Sequence, residues 1–367
     1  VTDGQEASVR LALGTARRIV VKVGSRSLAA LPELPLVLAR QFAQLKAEGR
    51  SVILVSSGAV ALGAERLRFN GRPTDLGQLQ AAASAGQSVL MSRYDDAFST
   101  EGLIPAQILL THGDLSNRRR VNNARVALKT LLEAGAIPVI NENDAVSTEE
   151  LSFGDNDHLS AMVTPLVDAD ALVLLTDVGG VLNEEGKLIS YLSSFDDFID
   201  RGQSSRVGSG GMASKISAAR KACRAGAAVA IASAFEDDAL TQVLAGENVG
   251  TCFPRIEDVL RARKHWIAYV LRPRGEIIVD AGAAKALLGN DTSLLPIGVV
   301  GLRGDFRRGD SVRVITLQGK VIGRGLTRLS ALEVARTAQK KGEDLASCLG
   351  GAVDTVVIHR DDLVLSV

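Results

Sequence analysis

A chain of 367 residues, 46% apolar and 23% charged, has room for a large core and points to two domains rather than one. Its 42 basic and 42 acidic residues cancel, which excludes a surface-wide attraction for nucleic acid; its three scattered cysteines, Cys223, Cys252 and Cys348, form no Cys-x-x-Cys pair, which excludes a disulfide framework or a cysteine-ligated zinc site. The first 24 residues are polar and interrupted, and no apolar stretch approaches the roughly 18 residues a membrane helix needs, so the expectation is a protein of the reducing cytoplasm with no membrane attachment.

The apolar, β-branched runs Ile19–Val23, Val52–Val55, Ile104–Leu110, Ile137–Ile140, Leu172–Leu175 and Val229–Ile231 predict strands. Between them lie Ala- and Leu-rich segments of helical period, Leu36–Lys46, Leu76–Phe98, Val121–Leu132 and Met212–Ala225. Such alternation predicts an α/β domain: a mainly parallel sheet sandwiched by helices, with ligands at the carboxyl ends of the strands. After Gly275 the texture changes to short strand-like runs, Ile277–Val279, Val312–Thr316 and Val321–Gly323, spaced by turns such as Gly304-Asp305 and Gly309-Asp310. That pattern predicts a small β-rich module, a compact barrel. The expected division is residues 1–262, a linker at 263–273 around Arg272-Pro273-Arg274, and 274–367; Trp266–Val270 reads as a candidate strand against the first domain.

The sharpest chemical signal is Asn141-Glu142-Asn143-Asp144, directly after an apolar run, followed by Gly154-Asp155-Asn156-Asp157. Two clusters of short carboxylates and carboxamides are what a site needs to hold a small zwitterion and an ion, and no packed core asks for them. Lys22 sits inside the run Ile19–Val23, where an unpaired ammonium is costly. It either meets a counter-charge at the strand end or snorkels from an edge strand. Ser56-Ser57-Gly58-Ala59 follows the next strand; it suits a carboxylate or phosphate, and equally a plain helix start. Gly208-Ser209-Gly210-Gly211-Met212-Ala213-Ser214-Lys215 runs from glycines into a helix and reads as a phosphate cradle, without P-loop spacing, or as a surface loop. With Thr176-Asp177 at another strand end, it points to nucleotide phosphates plus a metal such as Mg²⁺. The four histidines, His112, His158, His265 and His359, are dispersed and read as structural or solvent-facing.

The order Val21-Lys22-Val23-Gly24, Ser56 to Ala59, Asn141 to Asp144, Phe153 to Asp157, Leu174-Leu175-Thr176-Asp177 and Gly210 to Lys215 closely resembles the glutamate 5-kinases of the amino acid kinase superfamily. The likeness continues through Gly275-Glu276-Ile277, Ser293 to Pro296 and His359 to Asp362 into a module similar to PUA domains, and so covers nearly the whole chain. The resemblance implies transfer of the ATP γ-phosphoryl group to the side-chain carboxylate of L-glutamate, with Mg²⁺, as the first step of proline biosynthesis. It implies Lys22 and Lys215 as the catalytic lysines, oriented by Asp157. Ser57, Asp144 and Asn156 would bind glutamate, Asp144 taking the α-ammonium while hydroxyl and amide take carboxylate oxygens. Lys22, Thr176, Asp177, Ser209, Gly210, Gly211, Met212, Ala213, Ser214 and Lys215 would hold the nucleotide. Feedback inhibition by proline and a homo-oligomer are further implications.

The sequence departs from the family pattern at Ser25-Arg26, at Leu79 where a lysine is usual, and at Leu182. Two other readings stand beside this one. An acetylglutamate kinase would explain the lysines and leave Asp144 without an amine to pair. An RNA-binding protein led by the second module would explain residues 274–367, but these hold 13 Lys or Arg against 11 Asp or Glu, a faint cationic footprint.

Overall fold

The structure, a computed structural model, describes residues 2–146, 156–192, 194–195, 211–253, 256, 264, 266–289, 292–341 and 356–365. Phe153 to Asp155, Gly208 to Gly210, His265 and Cys348 lie outside them. The chain divides into two compact units, Val1–Val259 and Leu260–Val367.

The first unit is built on seven strands: β1 (Arg18–Val23), β2 (Ser51–Ser56), β3 (Pro105–Leu110), β4 (Ile137–Glu142), β5 (Ala171–Thr176), β6 (Ala228–Ser233) and β7 (Thr251–Cys252). Their order is β3-β4-β2-β1-β5-β6-β7, every pair parallel except β6 with β7. Strands buried on both faces carry near-continuous apolar runs, which is why these were readable. The chain steps from β1 to β2 on one side and returns to β5 on the other. Register aligns Val23 with both Ser56 and Leu175, so three strand ends open at one place. A reversal of strand order of this kind leaves a crevice at the carboxyl ends.

The helices are α1 (Thr2–Thr15), α2 (Ser25–Ala30), α3 (Leu34–Ala47), α4 (Ala59–Arg66), α5 (Leu76–Ser99), α6 (His112–Ser116), α7 (Arg118–Glu133), α8 (Asn156–Leu166), α9 (Met212–Arg224) and α10 (Ala239–Leu244). Ile19, Val21 and Val23 share a core with Leu38 and Phe42 of α3 and with Tyr94 and Phe98 of α5. Because side chains alternate along a strand, Val20 and Lys22 face the other way, toward α8. Helices α4 and α5 cross at glycine: a methyl group on Gly63 would land on the carbonyl of Ala82, and one on Gly86 on the carbonyl of Ala59. Overpacking such a contact costs about 1–3 kcal/mol. Gly86→Ala should therefore lower the thermal midpoint by several degrees in scanning calorimetry, and an unchanged midpoint would mean the crossing has slack.

The second unit has its own core around Ile277, Val312, Val314 and Ile358. Strands β8 (Gly275–Val279), β9 (Val299–Gly304), β10 (Ser311–Thr316), β11 (Val321–Thr327) and β12 (Ile358–Leu365) lie in the order β12-β11-β10-β8-β9. Only β8 with β10 is parallel. Helices α11 (Ala281–Gly289) and α12 (Ala331–Thr337) belong to the same unit, α12 opening with a Ser330–Glu333 capping box.

The polar first residues, for which the sequence predicts no element, form helix α1. Two expectations change. Ile104 is exposed and β3 begins one residue later, at Pro105. Trp266–Val270 is a π-helical turn rather than a strand, and its Ile267 and Ala268 are buried beside Val364 within the second unit. Among the described residues no helix is long and apolar enough to cross a membrane.

Candidate active site

Lys22 reaches out of the floor of the sheet and is buried, so it needs a counter-charge. Asp157, in the first turn of α8 and fully buried, supplies it: Oδ1 lies 2.5 Å from Lys22 Nζ. The second oxygen, Oδ2, accepts from Lys215 Nζ at 3.3 Å, and Lys215 stands in the first turn of α9. One carboxylate thus holds two ammonium groups, one on each oxygen, at the carboxyl end of β1. The Lys215 contact is a charge-assisted hydrogen bond, which fixes direction as well as distance, and the Lys22 contact is a buried ion pair. The snorkelling alternative for Lys22 is excluded, because β1 is the central strand of the order and its lysine is buried.

On the β2 side the chain leaves the sheet through Ser57, whose backbone N–H still donates to the Val23 carbonyl at 3.2 Å. Gly58 then takes φ +110°, a left-handed conformation that only glycine adopts without strain, and α4 begins. Ser57 and Asn156 meet: Asn156 Nδ2 donates to Ser57 Oγ at 2.8 Å, to the Ser56 carbonyl at 2.8 Å and to Asn141 Oδ1 at 2.9 Å. The amide nitrogen is fully engaged by the protein. Asn156 Oδ1, by contrast, is buried and accepts no hydrogen bond among the described residues. The sequence reading gives this amide to carboxylate oxygens; in the fold its nitrogen is engaged and the atom left over is an acceptor.

These residues line a cavity of about 420 Å³ together with Ser25, Gly58, Asn141, Glu142 and Asp144. That volume suits a small metabolite. Behind Ser57, the Ser56 hydroxyl lies 2.8 Å from the buried Tyr94 hydroxyl; burial holds that phenol well above its ordinary range, with the Ser56 hydrogen bond working against it.

On the other side of β1, Thr176 ends β5 and donates from Oγ1 to Asp177 Oδ1 at 2.9 Å. Arg26, the departure noted above, stands 3.8 Å from Asp177, an exposed and weak pair. Gly211 caps α9, so Met212, Ala213, Ser214 and Lys215 form its opening turn; Ser209 and Gly210 lie outside the described residues. Neither Thr176, Asp177 nor the α9 turn lines the cavity. Lys22, Asp157 and Lys215 are not among its lining residues either. Leu79, another of the departures noted above, is buried in α5 and contributes packing. Leu182 pairs with Leu188 in a small hairpin. His158 Nδ1 lies 2.6 Å from Lys221 Nζ, outside the cavity.

Sequence reasoning missed the far wall of the cavity, Glu65, Phe69, Gly71 and Arg72, where α4 ends in a polar turn. It also missed Gln87, which accepts from Asn141 Nδ2 at 2.9 Å. No local signal marks either; both are set by the α4–α5 crossing.

A model of the amino acid kinase family matches residues 17–233. The chain belongs to that family. A model of the PUA domain matches residues 275–349. Among curated relatives, the glutamate 5-kinase of Trichlorobacter lovleyi is 45% identical, the alignment covering 95% of this chain and 96% of that protein. The glutamate 5-kinase of Marinomonas sp. is 43% identical, covering 97% and 99%. A solved structure of N-acetylglutamate synthase from Neisseria gonorrhoeae, complexed with coenzyme A and N-acetyl-glutamate, matches with TM-score 0.50 and 19% identity over 70% of this chain and 63% of that one, a likeness of fold alone. For an amino acid kinase, the carboxyl-end crevice of the sheet is the place to look for chemistry, and the two lysines and the cavity are found there.

Proposed function

We propose that this chain is an ATP-dependent kinase of L-glutamate that phosphorylates the side-chain carboxylate, forms L-glutamyl 5-phosphate and so opens proline biosynthesis. The observation that carries the reading is Asp157 holding Lys22 and Lys215 beside a cavity of amino-acid size with Ser57, Asn141, Asp144 and Asn156 in its wall. The relatives named glutamate 5-kinase, matched over nearly their whole length, support the substrate.

The chemistry asks for little acid–base help. A glutamate side chain has a pKa of about 4.3 and is ionised at neutral pH, so the attacking oxygen needs no general base. One carboxylate oxygen bonds to the γ-phosphorus as the bridge to the β-phosphate breaks, and ADP leaves with the electron pair. The protein supplies alignment and positive charge for the transferring group. Lys22 and Lys215 are placed for that, with Asp157 setting their direction. Thr176, Asp177 and the α9 turn would hold the nucleotide on the β5 side, and the cavity would hold glutamate on the β2 side, its α-ammonium shared between Asp144 and Asn156 Oδ1. Mg²⁺ fits as a companion of the nucleotide. Both Asp157 oxygens are taken by lysine, and no group of three metal-binding side chains stands together among the described residues. A cation that prefers phosphate oxygens and water would then be held by ATP. Cytoplasmic location, inhibition by proline and assembly into a homo-oligomer belong to the same proposal.

Asp144→Asn should raise the KM for glutamate tenfold or more, since a hydrogen bond to a charged group contributes about 1.5–3 kcal/mol, and should leave nucleotide binding to the free enzyme unchanged. Calorimetry finding the reverse would exchange the two halves of the site. The reading as a whole is tested by ATP consumption with L-glutamate, N-acetylglutamate, L-aspartate and no acceptor. Only the first should rise clearly above the blank; a preference for N-acetylglutamate would move the protein to the sister activity.

A further inference from the structure

Asn156, Asn141, Gln87 and Gln107 form a head-to-tail chain of carboxamides. Asn156 Nδ2 donates to Asn141 Oδ1 at 2.9 Å, Asn141 Nδ2 to Gln87 Oε1 at 2.9 Å, and Gln87 Nε2 to Gln107 Oε1 at 3.0 Å. The oxygen and nitrogen of an amide are interchangeable in shape, so polarity in such a chain must be set by groups that cannot reverse. Two backbone groups do so here. The Ser56 carbonyl only accepts, and it lies 2.8 Å from Asn156 Nδ2. The Glu142 N–H only donates, and it lies 2.9 Å from Asn141 Oδ1. Asn141 must then present its nitrogen to Gln87, and Gln87 its oxygen to Asn141.

We propose that Gln87 is a positioning residue that, by accepting from Asn141, holds Asn141 Oδ1 against Asn156 Nδ2 and so reinforces the polarity set by the two backbone groups, which keeps the Asn156 oxygen for a ligand carrying an N–H donor beside Asp144. This rests on the functional reading above and deepens it. Gln87 does not line the cavity and touches no reacting group. Its own place is fixed by its neighbour Gly86, at the point where α4 and α5 are in closest approach. The buried Asn156 Oδ1 is the end of the chain that the described residues leave unsatisfied. A buried acceptor without a donor is costly until a ligand supplies one, so holding it in place favours ligands that can.

The test compares Gln87→Met, which keeps the shape and removes the acceptor, with Gln87→Glu, which keeps the acceptor. In protein labelled with ¹⁵N at asparagine, the Asn141 and Asn156 side-chain NH₂ signals, assigned by replacing each residue in turn, should exchange with water at least about fivefold faster in Gln87→Met and at the normal rate in Gln87→Glu. Kinetically, Gln87→Met should raise the KM for L-glutamate about fivefold to tenfold, the size of one net hydrogen bond. Its kcat and nucleotide KM should stay within twofold, and Gln87→Glu should restore the wild-type value. On an Asn141→Ala background, Gln87→Met should add nothing. Unchanged amide exchange in Gln87→Met would overturn the relay. Equal damage by both replacements, or a fall in kcat with KM unchanged, would reduce Gln87 to a packing residue. If wild-type enzyme ignores L-glutamate, the functional reading fails separately, while amide exchange still decides whether Gln87 locks Asn156.

Discussion

Asp157→Asn should abolish most turnover and destabilise the first unit at once. The substitution keeps shape and removes charge, leaving the buried Lys22 and Lys215 ammonium groups without the carboxylate that holds them at 2.5 and 3.3 Å. Breaking a buried ion pair by removing one partner costs about 3–5 kcal/mol, because the charge left behind is uncompensated. The two cations, no longer drawn to one point, would also lose the alignment on which phosphoryl transfer depends, with a fall of about 100-fold or more. Scanning calorimetry and steady-state kinetics on the same preparation check both parts. Wild-type stability with lost activity would show that the lysines are neutralised by other means.

Lys22→Ala and Lys215→Ala should behave differently from that. Each should lower kcat by about 100- to 1000-fold, the usual effect of removing a donor aimed at charge developing in the transition state. Each leaves Asp157 with its other lysine, so stability should fall far less than in Asp157→Asn. The ordering of the three variants is the informative result: similar activity losses, with the large stability loss confined to the aspartate. A folded variant of either lysine that retained near-normal turnover would remove that lysine from the chemistry.

The parts of this site that were legible in the sequence share a cause. Lys22 stands out because a cation inside a buried strand demands a partner, and Asn141 to Asp144 stand out because polar groups directly after an apolar strand lie at its carboxyl end. Strands β1, β2, β4 and β5 were legible through their apolar runs for the same reason: both faces are covered. Helix α8 was not. It opens on Asn156-Asp157-His158, residues that equally favour loops, and carries Pro165 in its last turn, where proline removes the N–H that would donate to the Ala161 carbonyl and so reads as a breaker. The polarity of Asn156 was also beyond reach. It depends on the Ser56 carbonyl, 100 positions away, and on Asn141, which is held in turn by Gln87, 54 positions from it, at a helix crossing made possible by Gly63 and Gly86. Small residues in an Ala-rich stretch announce helix, and they do not announce what the helix touches.

The central claim is that a side-chain carboxylate oxygen of glutamate becomes bonded to the transferred phosphorus, and an isotope experiment reads that bond directly. L-glutamate carrying ¹⁸O in both side-chain carboxylate oxygens is incubated with the enzyme, ATP and Mg²⁺, and the product is trapped with hydroxylamine, which attacks the carbonyl carbon and releases phosphate. Mass spectrometry of that phosphate should show one ¹⁸O atom per molecule, in step with formation of the γ-hydroxamate. Unlabelled phosphate released at the same rate would mean that water, rather than the glutamate carboxylate, accepts the phosphoryl group, and would contradict the account.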